Sequence, residues 1–237
     1  MLENHGPDAL AGPRLAALMR GAATATRAYG EVHPSLGNYL ALLSGSNQGV
    51  SDDDVSRRPF DAPSLAGQLD AAGISWRAYM NGMPSPCFGG ADHGRYVERH
   101  NPFMFFRDAL AGCRTHVLPG PPRLPLPRFT WITPDLCQDM HDCDVAAGQR
   151  WLARALPPLL RGLGPHGVLF VTADEGTEGA GGGRIPLVAL GRGVRPGARL
   201  ALGVSHRNLL ATIQDVLGLP RLATTRGLAT LRPLLRG

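Results

Sequence analysis

The chain has 237 residues, 43% of them hydrophobic and 18% charged, so it can bury one sizeable core and has the composition of a globular protein. Its net charge is +5, but all 24 basic residues are arginines scattered along the chain, which argues against nucleic-acid binding. No apolar run reaches the roughly 18 residues of a transmembrane segment, and no signal peptide is recognisable. These properties predict a single domain over residues 1–237.

Helical patterns alternate with apolar, strand-like runs along the whole chain. The predicted helices are residues 8–20, Leu36–Leu43, Ser64–Ala72 with Ser64 as N-cap, Val145–Leu163 and Ser205–Leu217. The predicted strands are Ala22–Tyr29, Ser75–Met80, Arg128–Thr133, Gly167–Ala173 and Ile185–Leu190. Pro157 and Pro158 predict a kink or a split in their helix. The alternation predicts an α/β fold with a mainly parallel sheet, which binds ligands beyond the carboxyl ends of its strands.

Ser35 stands immediately before the predicted helix at Leu36–Leu43. A hydroxyl at this place lies beside unpaired backbone N–H groups and the positive end of the helix dipole, where a phosphate group binds well. The alternative is that Ser35 is only the N-cap of the helix. Asn38, one turn later, could hold a phosphoryl oxygen or be an ordinary exposed helix residue.

Asp174 and Glu175 follow the most apolar of the predicted strands. Two adjacent carboxylates repel each other unless a cation or an arginine offsets their charge, and oxygen ligands suit a hard divalent metal ion. Glu3 and Asn4 would add two further oxygen ligands. The alternatives are an exposed acidic turn at the first pair and a merely polar N-terminus at the second.

Two histidines accompany these carboxylates. His141 lies between Asp139 and Asp142 in a loop, and a histidine flanked by carboxylates can serve as a metal ligand or as an acid–base group. His206 stands at the start of the last predicted helix. The alternative for His206 is a capping or solvent-exposed residue.

The four cysteines fall into two neighbourhoods, Cys87 with Cys113 and Cys137 with Cys143. Neither pair has the close spacing of a zinc site. Residue spacing alone leaves open whether these cysteines form disulfides or remain free thiols.

Six short motifs occur in one order, and together they resemble the bacterial phosphoesterase family of secreted acid phosphatases and, more distantly, phospholipases C. The motifs are Glu-Asn-His at 3–5, His-Pro-Ser-Leu-Gly-Asn-Tyr at 33–39, Arg-His-Asn-Pro-Phe at 99–103, Asp-Met-His-Asp-Cys-Asp at 139–144, Thr-Ala-Asp-Glu-Gly at 172–176 and Ser-His-Arg-Asn-Leu-Leu at 205–210. The resemblance runs from Glu3 to about Leu219. It implies a three-layer sandwich similar to that of alkaline phosphatase.

The resemblance also implies roles for individual residues. Ser35 matches the nucleophile, and Asn38 matches the asparagine that steadies the phosphoryl group. The implied metal ligands are Glu3, Asn4, Asp174 and Glu175. Further metal, phosphate or catalytic contacts are implied for His141, Asp142 and His206. His100 and Asn101 belong to a family motif and are expected to contact substrate.

The implied chemistry is metal-dependent hydrolysis of a phosphate ester. A divalent metal ion would lower the pKa of Ser35 and polarise a phosphoryl oxygen, and water would then hydrolyse a phosphoserine intermediate. The expected substrate is a small phosphorylated molecule or a phospholipid headgroup, acted on by a secreted or cell-envelope protein. That location, with the two cysteine neighbourhoods, predicts the disulfides Cys87–Cys113 and Cys137–Cys143.

The sequence departs from the family pattern at two places. Gly37 stands where the family usually has proline, and Glu3 follows Met1 and Leu2 directly, so the strand that should deliver it is almost absent. We therefore expect a coding extension upstream of Met1, or else a non-catalytic remnant of the family. A phospholipase C-like diesterase is a further alternative, disfavoured by the short chain.

Overall fold

The structure, a computed structural model, describes residues 1–56, 59–177, 179 and 181–237. Its α-helices are α1 (Pro13–Met19), α2 (Leu36–Ser44), α3 (Leu65–Ala71), α4 (Arg107–Ala111), α5 (Cys113–His116), α6 (Val145–Gly162) and α7 (His206–Leu217). Its strands are β1 (Ala23–Tyr29), β2 (Trp76–Met80), β3 (Asp92–His93), β4 (Tyr96–Val97), β5 (Val117–Pro119), β6 (Phe129–Thr133), β7 (Leu169–Thr172), β8 (Leu187–Leu190) and β9 (Arg199–Ser205). Short 3-10 helices occupy Pro7–Leu10, Glu98–His100, Pro102–Met104, Ala223–Thr225 and Arg232–Leu234.

Two sheets form the centre of the molecule. The first has the order β7-β8-β1-β9, in which β8 is antiparallel to both of its neighbours and β1 is parallel to β9. The second has the order β5-β2-β6 and is parallel throughout, and β3 and β4 form a separate antiparallel pair. The predicted α/β fold with mainly parallel strands is therefore confirmed, with β8 as the exception in the main sheets.

The first residues of the chain lie between the two sheets. The ammonium group of Met1 donates to the carbonyl oxygen of Ile132 in β6 over 2.9 Å. The amide of Leu2 donates to Thr172 in β7 over 2.7 Å, and Leu2 forms a parallel bridge with Ala173. Burial lowers the pKa of the Met1 amine to about 6. This short connection brings Glu3 to the carboxyl ends of β6 and β7.

The helices pack as two groups, α1 against α6 and α2 against α7, as the predicted three-layer sandwich requires. The α6 helix continues through Pro157 and Pro158, so the predicted split does not occur. Leu152, Leu156 and Leu159 form a buried stripe on one face of α6. Burial of this stripe outweighs the two backbone hydrogen bonds that the prolines cannot make.

Most predicted elements are confirmed to within a few residues, including Ser64 as the N-cap of α3, where its hydroxyl accepts from the amide of Gly67. The edge strand β9 was not predicted, because its mostly exposed residues do not alternate between apolar and polar. Within the described residues, no helix is long and apolar enough to span a bilayer.

Both predicted disulfides are confirmed. Cys87 pairs with Cys113 at a Cα–Cα distance of 5.2 Å, and Cys137 pairs with Cys143 at 4.7 Å, both within the usual range. The second bond closes a ring of seven residues, 137–143, that contains Asp139 and His141. This ring follows β6 at the edge where the site forms.

Candidate active site

Ser35 lies at the start of α2, and a tightly held loop leads to it. Asn38 is fully buried, and its side-chain oxygen accepts from the amides of Glu31 and Val32 over 2.7 and 3.2 Å. Its amide group donates to the carbonyl of Val32 over 2.8 Å. A Cβ atom at Gly37 would lie 2.5 Å from a Val32 methyl group, so only glycine permits this close approach. The structure thus engages Asn38, the expected phosphoryl contact, with the loop before Ser35.

The hydroxyl of Ser35 faces a carboxylate rather than the helix. It donates to Glu3 Oε1 over 2.5 Å and makes no capping hydrogen bond to α2. Ser35 thus occupies the N-cap position of α2, but its side chain does not cap the helix. A buried hydroxyl whose proton already points to a carboxylate is placed as a nucleophile beside a base.

Glu3, His100 and Asp174 converge deep in the site, where one ligand atom from each lies within 4.8 Å of the others. Glu3 Oε2 and His100 Nε2 are 2.7 Å apart without the alignment of a hydrogen bond. Asp174 Oδ1 accepts from the amides of Asn4 and Glu175, whereas its buried Oδ2 has no hydrogen-bond partner within the described chain. Asp139 Oδ2 lies 3.5 Å from the other nitrogen of His100. We call Glu3, His100, Asp139 and Asp174 the inner cluster.

Charge in the inner cluster is strongly coupled. Burial raises the pKa of Asp174 well above its usual value, and the neighbouring Glu3 raises it further. Burial opposes protonation of His100, but the carboxylates of Glu3 and Asp139 outweigh it and raise the pKa of His100 to about 10. Burial likewise raises the pKa of Glu3, yet His100 more than offsets this and leaves it below its usual value.

A divalent cation fits the inner cluster. When its three carboxylates are ionised and His100 is protonated, the inner cluster carries a net charge of −2. Buried net charge of this kind needs a compensating cation. The partnerless Asp174 oxygen and the unaligned Glu3–His100 contact are both typical of ligands that face a common cation. Oxygen and imidazole donors together suit several divalent metal ions.

Two histidine–carboxylate pairs stand above the inner cluster, and we call them the rim pairs. His33 Nδ1 contacts Glu175 Oε2 at 2.6 Å, and His141 Nδ1 contacts Asp142 Oδ1 at 2.7 Å. The His33 side chain is 41% exposed and that of His141 is 33% exposed. Each carboxylate orients its imidazole through Nδ1, and among the described residues neither Nε2 atom makes a hydrogen bond.

The structure therefore brings together some of the predicted residues and separates others. Of the expected metal ligands, Glu3 and Asp174 converge, whereas Glu175 is turned to His33. The side chain of Asn4 only approaches Glu3, at 3.5 Å, and its backbone is left-handed. His100, expected to contact substrate, lies among the metal-ligand candidates instead.

Two other expected site residues lie behind the site. His206 is buried and donates through Nε2 to the carbonyl of Ala173 over 2.9 Å, and burial lowers its pKa. Asn101 is buried and donates to the phenol oxygen of Tyr96 over 3.0 Å. His33 was not predicted as a site residue, yet it lies beside Glu175. It begins the His-Pro-Ser motif, which is the signal that could have found it.

The fold of the chain is of the alkaline-phosphatase-like class. The chain is similar in structure to a protein of the alkaline phosphatase superfamily from Vibrio parahaemolyticus, with a TM-score of 0.68, 13% identity, and coverage of 94% of this chain and 66% of that one. It is also similar to a phosphonate monoester hydrolase from Silicibacter pomeroyi, with a TM-score of 0.54, 13% identity, and coverage of 99% and 75%. These likenesses concern the fold.

The chain belongs to the Phosphoesterase family, whose model matches residues 9–220. It is 29% identical to a phosphatidylinositol-3-phosphatase of Mycobacterium tuberculosis over 226 residues, which cover 92% of this chain and 75% of that protein. It is 26% identical to an acid phosphatase of Aspergillus fumigatus over 228 residues, 83% of this chain and 48% of that protein. The chain thus spans about half the length of this fungal relative. The predicted class, phosphoric ester hydrolases, is confirmed.

Proposed function

We propose that this protein is a metal-dependent phosphatase that hydrolyses phosphate monoesters through a phosphoserine intermediate at Ser35. The observation that carries the proposal is the 2.5 Å hydrogen bond from the Ser35 hydroxyl to Glu3, a member of the inner cluster. A nucleophile, a proton acceptor and a cation-binding group therefore meet at one buried point. Phosphatase relatives of known name support the same activity.

Glu3, Asp174 and the neutral imidazole of His100 would hold the divalent metal ion, which would displace the proton that the carboxylates otherwise keep on His100. Asn4 and Glu175 are further candidate ligands that could turn towards it. When bound, the ion supplies Lewis-acid stabilisation of the charge on the phosphoryl oxygens and favours the ionised form of the nucleophile. Asp139 would orient the His100 ring, because its carboxylate lies beside the second ring nitrogen.

In the first step, the Ser35 oxygen attacks phosphorus while its proton passes to Glu3 Oε1. The bond from phosphorus to the leaving oxygen breaks, and a rim histidine, His33 or His141, donates the proton that this oxygen needs. In the second step, the same histidine removes a proton from water, whose oxygen attacks phosphorus. The bond from phosphorus to the Ser35 oxygen breaks, inorganic phosphate leaves, and the Ser35 oxygen takes its proton back from Glu3 Oε1. Asn38 keeps the loop before Ser35 in place throughout, and His206 supports the end of β7.

The expected substrate is a small molecule with an exposed phosphate group, and the headgroup of a phosphorylated lipid is one example. The mycobacterial relative named for phosphatidylinositol 3-phosphate is consistent with such a headgroup. We also propose that the protein acts outside the cytoplasm. The two disulfides support this location, because such bonds persist in oxidising compartments.

Hydrolysis of 4-nitrophenyl phosphate tests the proposal directly. We expect activity that is lost on chelation and restored by at least one of Mg²⁺, Mn²⁺, Ca²⁺ or Zn²⁺. Ser35→Ala should lower kcat on the order of 10⁴-fold or more, because the nucleophile is removed. Ser46→Ala is the matched control, since Ser46 lies beyond the other end of α2 and should leave the rate unchanged. Near-parent turnover in Ser35→Ala would rule out the mechanism, and no turnover with any metal would favour the non-catalytic alternative.

A further inference from the structure

A carboxylate from another loop occupies the N-terminal end of α2. Asp53 Oδ1 accepts from the amide of Leu36 over 3.0 Å, and Leu36 is the residue after Ser35. This amide and the helix dipole are what a helix end normally offers to a bound phosphate. An anion that approaches Ser35 therefore meets the negative charge of Asp53 at this position.

The other oxygen of Asp53 holds an arginine. Asp53 Oδ2 lies 3.5 Å from Arg99 Nε. Within the part of the chain that the structure describes, the two terminal nitrogens of Arg99 hold no hydrogen bond, and its side chain is 21% exposed. Asp53 thus occupies one edge of the guanidinium and leaves the paired N–H groups of the other edge available.

Arg99 is connected to the residues of the site in three ways. Through Asp53 it is linked to the first amide of α2. It precedes His100, which belongs to the inner cluster. Its charge also acts on the buried phenol of Tyr39, whose ring stacks on His100 at 5.0 Å. Asp53 thus links the Arg99 guanidinium to the residue that follows Ser35.

We propose that Arg99 binds the phosphoryl oxygens of the substrate through its terminal nitrogens and gives the site its preference for phosphate monoesters over diesters, with Asp53 as its positioning residue. This inference rests on the proposed function. A planar guanidinium matches two oxygens of one phosphate group and always carries its charge. A monoester presents a dianion, whereas a diester presents a monoanion with fewer free oxygens. Loss of Arg99 therefore weakens monoester recognition more.

The experiment compares Arg99→Ala and Arg99→Lys with the parent, each as the metal-loaded protein. The control is Arg107→Ala, because Arg107 is also paired through Nε with an aspartate, Asp61, but both side chains are well exposed and away from the site. Values of kcat/KM are measured for 4-nitrophenyl phosphate and for bis(4-nitrophenyl) phosphate. Calorimetry gives the dissociation constant of inorganic phosphate, and thermal melting checks the fold of every variant.

We expect Arg99→Ala to lower kcat/KM for the monoester about 10²-fold, the usual cost of one charged donor, and that for the diester less than about 10-fold. Phosphate affinity should fall at least about 10-fold. The kcat/KM and phosphate affinity of Arg99→Lys should lie between those of Arg99→Ala and the parent. Lysine keeps the positive charge but cannot donate two parallel hydrogen bonds to one phosphate group. Equal losses for the two esters, or losses no larger than those of Arg107→Ala, would overturn the inference. If the parent hydrolyses neither ester but Arg99→Ala still weakens phosphate binding, the binding role stands and the proposed hydrolysis fails.

Discussion

The inner cluster and the rim pairs use the same residue types, histidine and carboxylate, in two different settings. His100 is almost fully buried between Glu3 and Asp139, whereas His33 is two-fifths exposed and has Glu175 as its carboxylate. In the interior, unbalanced charge is costly and strongly coupled, so such groups are suited to hold a cation. At the surface, water screens the charge and delivers protons, so such groups are suited to proton transfer. Burial, rather than residue type, separates the two uses.

The largest expected effect is the loss of one inner carboxylate. Asp174→Asn keeps an oxygen that can accept from Asn4 and Glu175 but removes the negative charge. We expect the dissociation constant of the activating metal to rise more than about 10²-fold and turnover to be lost. Competition with a metal-sensitive dye measures the affinity. Asp142→Asn on the rim is the control. Equal losses of metal affinity in both variants would contradict the claim that the inner cluster, and not the rim pairs, holds the metal ion.

A rim variant should separate catalysis from metal binding. His33→Gln keeps a polar side chain but cannot exchange a proton, so we expect kcat to fall about 10²–10⁴-fold with metal affinity unchanged. One limb of the pH–rate profile should also flatten. The same profile in His141→Gln shows which of the two histidines carries the proton. Loss of the metal in His33→Gln would instead place His33 and Glu175 within the inner cluster.

The two disulfides should differ in whether their removal lowers the catalytic rate or the stability of the fold more. The Cys137–Cys143 bond closes the seven-residue ring with Asp139 and His141, and the Cys87–Cys113 bond, with a sequence separation of 26, closes a much longer loop. Loop entropy predicts about 2.4 kcal/mol of stabilisation from the short ring and about 3.6 kcal/mol from the long loop. We expect Cys137→Ser with Cys143→Ser to lower kcat about 10-fold, and Cys87→Ser with Cys113→Ser to lower stability more but kcat less. Urea unfolding and steady-state rates measure both, and the reverse ranking would contradict this account.

The smallest expected effect concerns the metal-free protein. The pKa of His100 is raised from 6.5 to about 10 in the folded chain, so its imidazolium stabilises the fold fully below pH 6.5. This contribution is lost as the pH rises through 10, and the melting temperature should fall in that window. His100→Asn should flatten the fall, whereas His141→Asn on the rim should not. Parallel melting curves for the parent and His100→Asn between pH 6 and 10 would contradict the coupling.

The sequence predicted the site's central residues better than their partners. Ser35 and Asp174 each border a predictable element, and all three of Glu3, Ser35 and Asp174 belong to short motifs. Their residue types therefore indicated a site before their positions were known. The carboxylate partners of the two histidines lie more than thirty positions away in the sequence: Glu175 pairs with His33, and Asp139 contacts His100. Only the packing of the loops brings such groups together.

The same limit applies to the fold. Residue preferences predicted the buried strands, but the continuity of α6 through two prolines depends on tertiary burial of its leucine stripe. The amide of Asn38 could bind a phosphoryl oxygen or a loop, and its residue type alone favours neither. The loop contacts with Glu31 and Val32 are a property of the folded chain.

The place of Met1 between the two sheets has a consequence for protein engineering. Chain ends usually tolerate fusion and trimming, and Gly237 is exposed with open space around it. A segment joined to Met1, natural or engineered, would begin between β6 and β7. It would lie two residues from Glu3 and could shift the position of that side chain. Removal of Met1 and Leu2 by an aminopeptidase would take away the two residues whose hydrogen bonds to β6 and β7 hold Glu3 in place.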